Sequence, residues 1–151
     1  MSRVRILPLA GALLGASALA ACATVEETVA ENTADTYRAT LTGAQEVGGG
    51  DPDGAGRAEI SISDEFGQVC WDLNGISGID TITAAHIHFG ARGTNGPPVF
   101  TLRQANEGGW KGCTDGSEWT QNRLEGNPEM FYVNVHTQAY PNGAIRGQLH
   151  D

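Results

Sequence analysis

The sequence predicts an all-β protein, an antiparallel β-sandwich or Greek-key barrel of about seven strands. Three observations lead there. Short segments alternate apolar and polar residues with period 2, which puts one set of side chains on each face of a strand. Glycine, at 21 of 151 residues, falls between those segments together with Asn, Asp and Pro, the residues that shape turns. The 3.6-residue apolar period of an amphipathic helix is almost absent.

Taken in order, Thr36 to Thr42 alternates and makes an opening strand. Gly48 to Gly54, with Asp51-Pro52-Asp53 inside it, is a loop. Arg57 to Ser63 places Ala58, Ile60 and Ile62 on one face, and Asp64-Glu65-Phe66-Gly67 turns the chain. Val69, Trp71 and Leu73 then alternate with Cys70, Asp72 and Asn74 as the hairpin partner. Residues 84–90 and Val99 to Leu102 supply two more strands. Residues 131–137 and 143–149 close the chain as a hairpin around Tyr140-Pro141-Asn142-Gly143, whose Asn-Gly is a strong turn signal. Only Glu118 to Asn127 has helical character, with Ser117 placed to cap it.

The N-terminus reads as a processing segment. Arg3 and Arg5 precede an apolar run from Ile6 to Ala18, which is short for a permanent membrane span. Leu19-Ala20-Ala21-Cys22 resembles the bacterial lipobox, in which the cysteine is lipidated and becomes the first mature residue. Residues 1–21 are then a lipoprotein signal peptide, Cys22 the lipidation site, 22–35 an acidic flexible tether, and 36–151 one folded domain. The alternative is an ordinary secretory signal cleaved nearby. Either places the mature chain outside the cytoplasm, and the lipid makes a bacterial membrane its partner. By resemblance to bacterial lipoprotein sorting, Ala23 where an Asp would signal retention favours the outer membrane.

The formal net charge is −9 and becomes two units more negative once Arg3 and Arg5 are removed. A chain this acidic does not neutralise phosphates, which excludes nucleic acid as a partner. With Cys22 assigned to the lipid, Cys70 and Cys113 remain as a pair in an oxidising compartment. A disulfide between them would close a loop of about 43 residues, worth up to about 4 kcal/mol by chain entropy; two reduced thiols are the alternative.

Three of the four histidines lie in strand-like segments. His86 and His88 share one face of their strand, and Tyr132, Asn134 and His136 share one face of theirs. Imidazole suits copper and zinc, so His86, His88 and His136 form a candidate metal site, with His150 as a fourth candidate ligand and Tyr132, Asn134 and Arg146 as lining. The competing reading is a hydrogen-bonded polar cluster of His86, His88, Asn134, His136, Thr137 and the backbone of loop 90–98. Arg146 is expected to pair across the sheet with an acid such as Asp72 or Glu59, or else to contact a ligand. Trp71, Trp110 and Trp119 are assigned to the core and the disulfide region, with an exposed aromatic platform as the alternative. Ala91 to Pro98 is rich in Gly and Pro but opens no helix, so it is a shaped turn rather than a phosphate cradle. No nucleophile elbow is present, which argues against hydrolase chemistry.

Several of these segments resemble the CHRD domain, the module named after chordin. They are Leu41-Thr42-Gly43-Ala44-Gln45-Glu46-Val47, Ala85-His86-Ile87-His88-Phe89-Gly90, Gly93, Asn95-Gly96-Pro97, Tyr132-Val133-Asn134-Val135-His136-Thr137, Tyr140-Pro141-Asn142-Gly143 and Ile145-Arg146-Gly147-Gln148-Leu149. The resemblance covers about residues 36–150. It implies a sandwich of immunoglobulin-like or Cu/Zn superoxide dismutase-like appearance and an extracellular setting, and it supplies no settled activity for bacterial members. Two features depart from the family pattern: the glycines and Asp51-Pro52 after Val47, and the Cys70/Cys113 pair. The leading expectation is a non-enzymatic binding or envelope module with a histidine metal site. A copper-dependent redox enzyme is the second reading, weakened by the lack of a second His-rich segment: residues 89–112 contain neither His nor Asp. A purely structural envelope lipoprotein is the third.

Overall fold

The computed structural model describes residues 34–63, 65–106, 108–116 and 124–151. The expected signal segment 1–21, Cys22, the tether through residue 33, and the helical stretch from Ser117 through residue 123, with Trp119, lie outside them. Residues 124–126 are helical, and Leu124 among them is fully buried.

Eight strands form one antiparallel sheet: β1 (Asp35–Thr42), β2 (Ala55–Ser63), β3 (Gln68–Ser77), β4 (Ile82–Phe89), β5 (Pro98–Leu102), β6 (Trp110–Asp115), β7 (Phe131–Thr137) and β8 (Ile145–Gln148). Their order is β5-β4-β7-β8-β1-β2-β3-β6. The sheet curls into a nearly closed barrel, with its two edges approaching each other. Trp71 on β3 donates its indole N–H to the Arg103 carbonyl just after β5 (3.1 Å). Its ring also meets Phe100 of β5 edge-on, 5.9 Å between centroids.

All seven strands expected from alternation are present. Ala58, Ile60 and Ile62 point inward with Val69, Trp71 and Leu73, joined by Leu41, Ala85, Ile87, Val133, Val135 and Ile145. Fully burying one such aliphatic side chain stabilises by about 1.5–3 kcal/mol. The eighth strand, β6, is a correction. Its sequence, Trp-Lys-Gly-Cys-Thr-Asp, has one large apolar residue, and most of it is exposed because it is a sheet edge. Two features hold it in place. Cys113 stands directly opposite Cys70 in register and is disulfide-bonded to it. The Trp71 ring packs over Gly112, where a Cβ would come within 3.1 Å of it. Trp71 is a core residue and Trp110 packs partly buried against the core.

Strands β7 and β8 are buried on both faces, every residue included. One face of β4, β7 and β8 supplies Ala85, Ile87, Phe131, Val133, Val135 and Ile145 to the core. The opposite face carries His86, His88, Tyr132, Asn134, His136, Arg146 and Gln148, because side chains alternate along a strand. Three loops fold over that polar face. Loop 43–51 is tied down by the Asp51 amide donating to the Ala144 carbonyl (2.8 Å). Loop 90–98 and the turn 138–143 complete the cover.

Candidate functional site

Strand pairing sets the site. In register, His86 lies opposite Asn134, His88 opposite Tyr132 and Ala84 opposite His136. On the other side of β7, Asn134 lies opposite Arg146 and Tyr132 opposite Gln148. A nitrogen from each of His86, His88 and His136 lies within 4.8 Å of the other two. The ring centroids are 5.0 Å apart for His86 and His136, 5.7 Å for His86 and His88, and 6.1 Å for His88 and His136. The expected convergence is therefore in place.

Hydrogen bonds fix the tautomers. His88 Nδ1 lies 2.8 Å from the Gly96 carbonyl, and His136 Nδ1 lies 3.1 Å from the Pro141 carbonyl. A carbonyl only accepts, so both Nδ1 atoms carry the proton and both Nε2 atoms hold a bare lone pair. His86 Nδ1 sits 3.1 Å from His136 Nε2 and donates to it in this arrangement. His88 Nε2 is buried and has no hydrogen-bond partner. Burial is the leading cause that pushes all three imidazoles below their ordinary value of 6.5; for His88 and His136 the neighbouring histidines add to it, and the carbonyl contacts oppose it. Neutral imidazoles with Nδ1–H held by carbonyls are what a divalent cation requires of its ligands.

The spacing suits a cation. With the His86 proton moved to Nε2, His86 Nδ1 and His136 Nε2, 3.1 Å apart and each about 2.05 Å from a shared ion, would subtend about 100°, between square-planar and tetrahedral values. A pair at the 4.8 Å limit would have to close by about 1.4 Å, since two such bonds at a tetrahedral angle place their nitrogens about 3.4 Å apart.

The rest of the polar face supports the rings. The Tyr132 ring stacks on His88, 4.9 Å between centroids and 16° between planes. Its OH accepts from the Gly96 amide (3.1 Å). The Arg146 guanidinium carbon stands 3.3 Å from the Tyr132 ring centroid. Asn134 is 3% exposed; it donates through Nδ2 to the Asn142 carbonyl (3.4 Å), while its Oδ1 has no partner. Thr137 accepts from the Tyr140 amide at its hydroxyl (3.1 Å).

Two expectations are corrected. Arg146 pairs with neither Asp72 nor Glu59. It is on β8, while those acids are on β3 and β2, and Glu59 meets its own cross-strand neighbour Arg38 at 3.2 Å. His150 stands outside the histidine group. It is exposed just beyond β8, and its Nδ1 lies 2.7 Å from the Asp151 carbonyl.

Glu46 is a further residue of this face, which the sequence distinguishes only as part of the family-like segment Leu41 to Val47. Burial raises its carboxyl from 4.5 to about 7, with Arg146 opposing that rise. Its Oε1 is buried without a partner, and together with Asn134 Oδ1 it fills the space where a side chain on Gly143 would stand. The carbonyls of Gly96 and Pro141 carry no side-chain signal, so only the Gly- and Pro-rich composition around them marked their loops.

A family model described as the CHRD domain matches residues 37–149. No curated protein and no solved structure matches the chain.

Proposed function

This chain belongs to the CHRD domain family, and from that premise we propose that it is a lipid-anchored, extracytoplasmic binding module, non-enzymatic, whose three-histidine face holds one copper or zinc ion. The observation that carries the reading is the pair of bare Nε2 atoms on His88 and His136. Each is held in its tautomer by a backbone carbonyl, and the His88 atom is buried without a partner. An unsatisfied buried acceptor costs about 1–3 kcal/mol, and a cation would satisfy it. The Cys70–Cys113 disulfide fits an oxidising compartment. The lipobox-like Leu19-Ala20-Ala21-Cys22 supports the anchor.

The test is metal uptake by the full-length chain purified in detergent and stripped with a chelator. Titration with Cu(II) and with Zn(II), read by calorimetry and elemental analysis, is expected to give one ion per chain. His88→Ala is expected to abolish uptake and His86→Ala to weaken it. No stoichiometric uptake, or equal uptake after all three histidines are replaced, overturns the metal reading. A Cys22→Ser chain still labelled by fatty acid overturns the anchor.

The second reading, a polar cluster that only fixes the fold, is favoured by the hydrogen bonds already linking His86 to His136, His88 to Gly96 and His136 to Pro141. It predicts a triple variant that loses stability and no ligand. Dismutation of superoxide by the copper-loaded chain above the free-ion background would instead support the redox enzyme.

A further inference from the structure

Arg146 is 1% exposed and lies on no acid's ion pair among the described residues. A buried guanidinium needs its N–H groups satisfied and its presence explained. Its Nη1 donates to the Thr94 carbonyl (2.9 Å) and toward Asn95 Oδ1 (3.4 Å), and its Nη2 to the Ala91 carbonyl (3.2 Å). Those three acceptors belong to loop 90–98; a fourth, Gln148 Oε1 at 3.5 Å from Nη2, is on β8 itself. The planar fork thus ties both ends of the Ala91–Thr94 turn to strand β8, a geometry that an ammonium cannot reproduce.

That loop presents Gly96 to the site. The Gly96 carbonyl takes the His88 Nδ1 proton at 2.8 Å, and its amide donates to the Tyr132 hydroxyl at 3.1 Å. A side chain at Gly96 would strike the Phe89 carbonyl, so the loop backbone lies directly on β4. Strands β4 and β8 flank β7 on opposite sides. The Tyr132 ring is therefore sandwiched, with His88 on one face and Arg146 on the other. Gln148 closes the far end of the loop by donating to the Gly90 carbonyl (2.8 Å).

We propose that Arg146 is the positioning residue of the histidine site: by clamping loop 90–98 it aims the Gly96 carbonyl at His88, which locks His88 as the Nδ1–H tautomer and leaves Nε2 free for an ion. Arg146 touches no ion itself. This deepens the metal reading and rests on it for its consequence, but the tautomer can be read without any metal.

The experiment is nitrogen-15 NMR of the imidazoles in the metal-free, full-length chain, followed by Zn(II) and Cu(II) titration. In wild type, His88 is expected to be one tautomer, protonated at Nδ1 and bare at Nε2. In Arg146→Lys, which keeps the charge but loses the fork, His88 is expected to become a tautomer mixture, and affinity to fall about 10- to 100-fold, as for other groups that orient metal-bound histidines. Arg38→Lys, the same change on the exposed wall where Arg38 meets Glu59, is expected to keep the Nδ1–H form. An unchanged His88 tautomer and affinity in Arg146→Lys overturns the inference. So does a mixed or Nε2–H His88 in wild type, which needs no variant to fold. If wild type takes up no metal while the tautomer still responds to Arg146, the metal reading falls and the clamp stands.

Discussion

The two halves of the barrel wall use the same alternation for different ends. On β1 and β2, inward residues are buried and most outward ones are exposed or half-buried, as in Arg38 and Glu59, whose side chains are 57% and 47% exposed. On β7 and β8 nothing is exposed. Both halves show period-2 patterning, but the polar positions of one half meet water and those of the other meet loops. A polar side chain under a loop must find its partners within the protein. Most do, through the carbonyls of Ala91, Thr94, Gly96 and Pro141. His88 Nε2, Asn134 Oδ1 and Glu46 Oε1 do not, and the first of them is an atom on which the proposed ligand site rests.

The largest effect is expected on the single-faced half. Replacing Cys70 and Cys113 together by Ser should lower stability by up to about 4 kcal/mol, the chain-entropy value for a loop of this length. Amide exchange should then show β6 losing protection first while β7 keeps it, since β6 is an edge and β7 is covered on both sides. Simultaneous loss of protection in both would mean that the halves are one cooperative unit and that the contrast is only geometric.

Next is the same substitution made on each half. Arg146→Met takes the guanidinium from the Thr94 carbonyl and one of three donors from the Ala91 carbonyl, at an expected cost on the order of 2 kcal/mol. Arg38→Met on the exposed face should change stability by less than about 0.5 kcal/mol. Urea denaturation of the pair measures the difference, and equal losses would break the comparison.

The contrast also decides what was legible in the sequence. Ala58, Ile60 and Ile62 against Arg57, Glu59 and Ser61 give their strand away because water enforces the alternation. His86, His88 and His136 were placed on a common face by the same rule, and they converge. Strand β6 was not legible because an exposed edge holding one tryptophan and a disulfide needs no apolar period. Arg146 was assigned an acid partner because a sequence displays side chains, whereas its real partners are carbonyls, which every residue carries. The place of Glu46 over this face depended on how loop 43–51 folds back, and no local pattern encodes that.

The sign of the pH dependence of stability should separate the groups of the covered face. The three histidines have folded values below 6.5, so the unfolded chain binds more protons as pH falls beneath 6.5. Their contribution is full above that pH and is lost on acidification. Glu46 is the opposite case. Its folded value is raised from 4.5 to about 7, so its contribution is full below pH 4.5 and is lost as pH rises through about 7. Thermal melts of Glu46→Gln across pH should lose the decline that Glu46 causes between about pH 4.5 and 7 and keep the histidine-dependent loss below 6.5. Replacing the three histidines should do the reverse. A Glu46→Gln profile that parallels wild type would mean its carboxyl is solvated, and that loop 43–51 does not cover the face.

The smallest expected effect belongs to the Arg38–Glu59 pair. The two residues are register partners on β1 and β2 and meet at 3.2 Å with both side chains about half exposed. Water screens such a pair, and holding two long side chains in one geometry costs entropy. A double-mutant cycle with Arg38→Gln and Glu59→Gln should therefore give a coupling of about 0.2–1 kcal/mol that shrinks in high salt. A coupling that matches the effect of Arg146 would mean the exposed wall is also organised by its charges. A near-zero value would leave that wall held by its apolar face and its disulfide, and would make the loop-covered strands the part of the molecule where polar chemistry decides the structure.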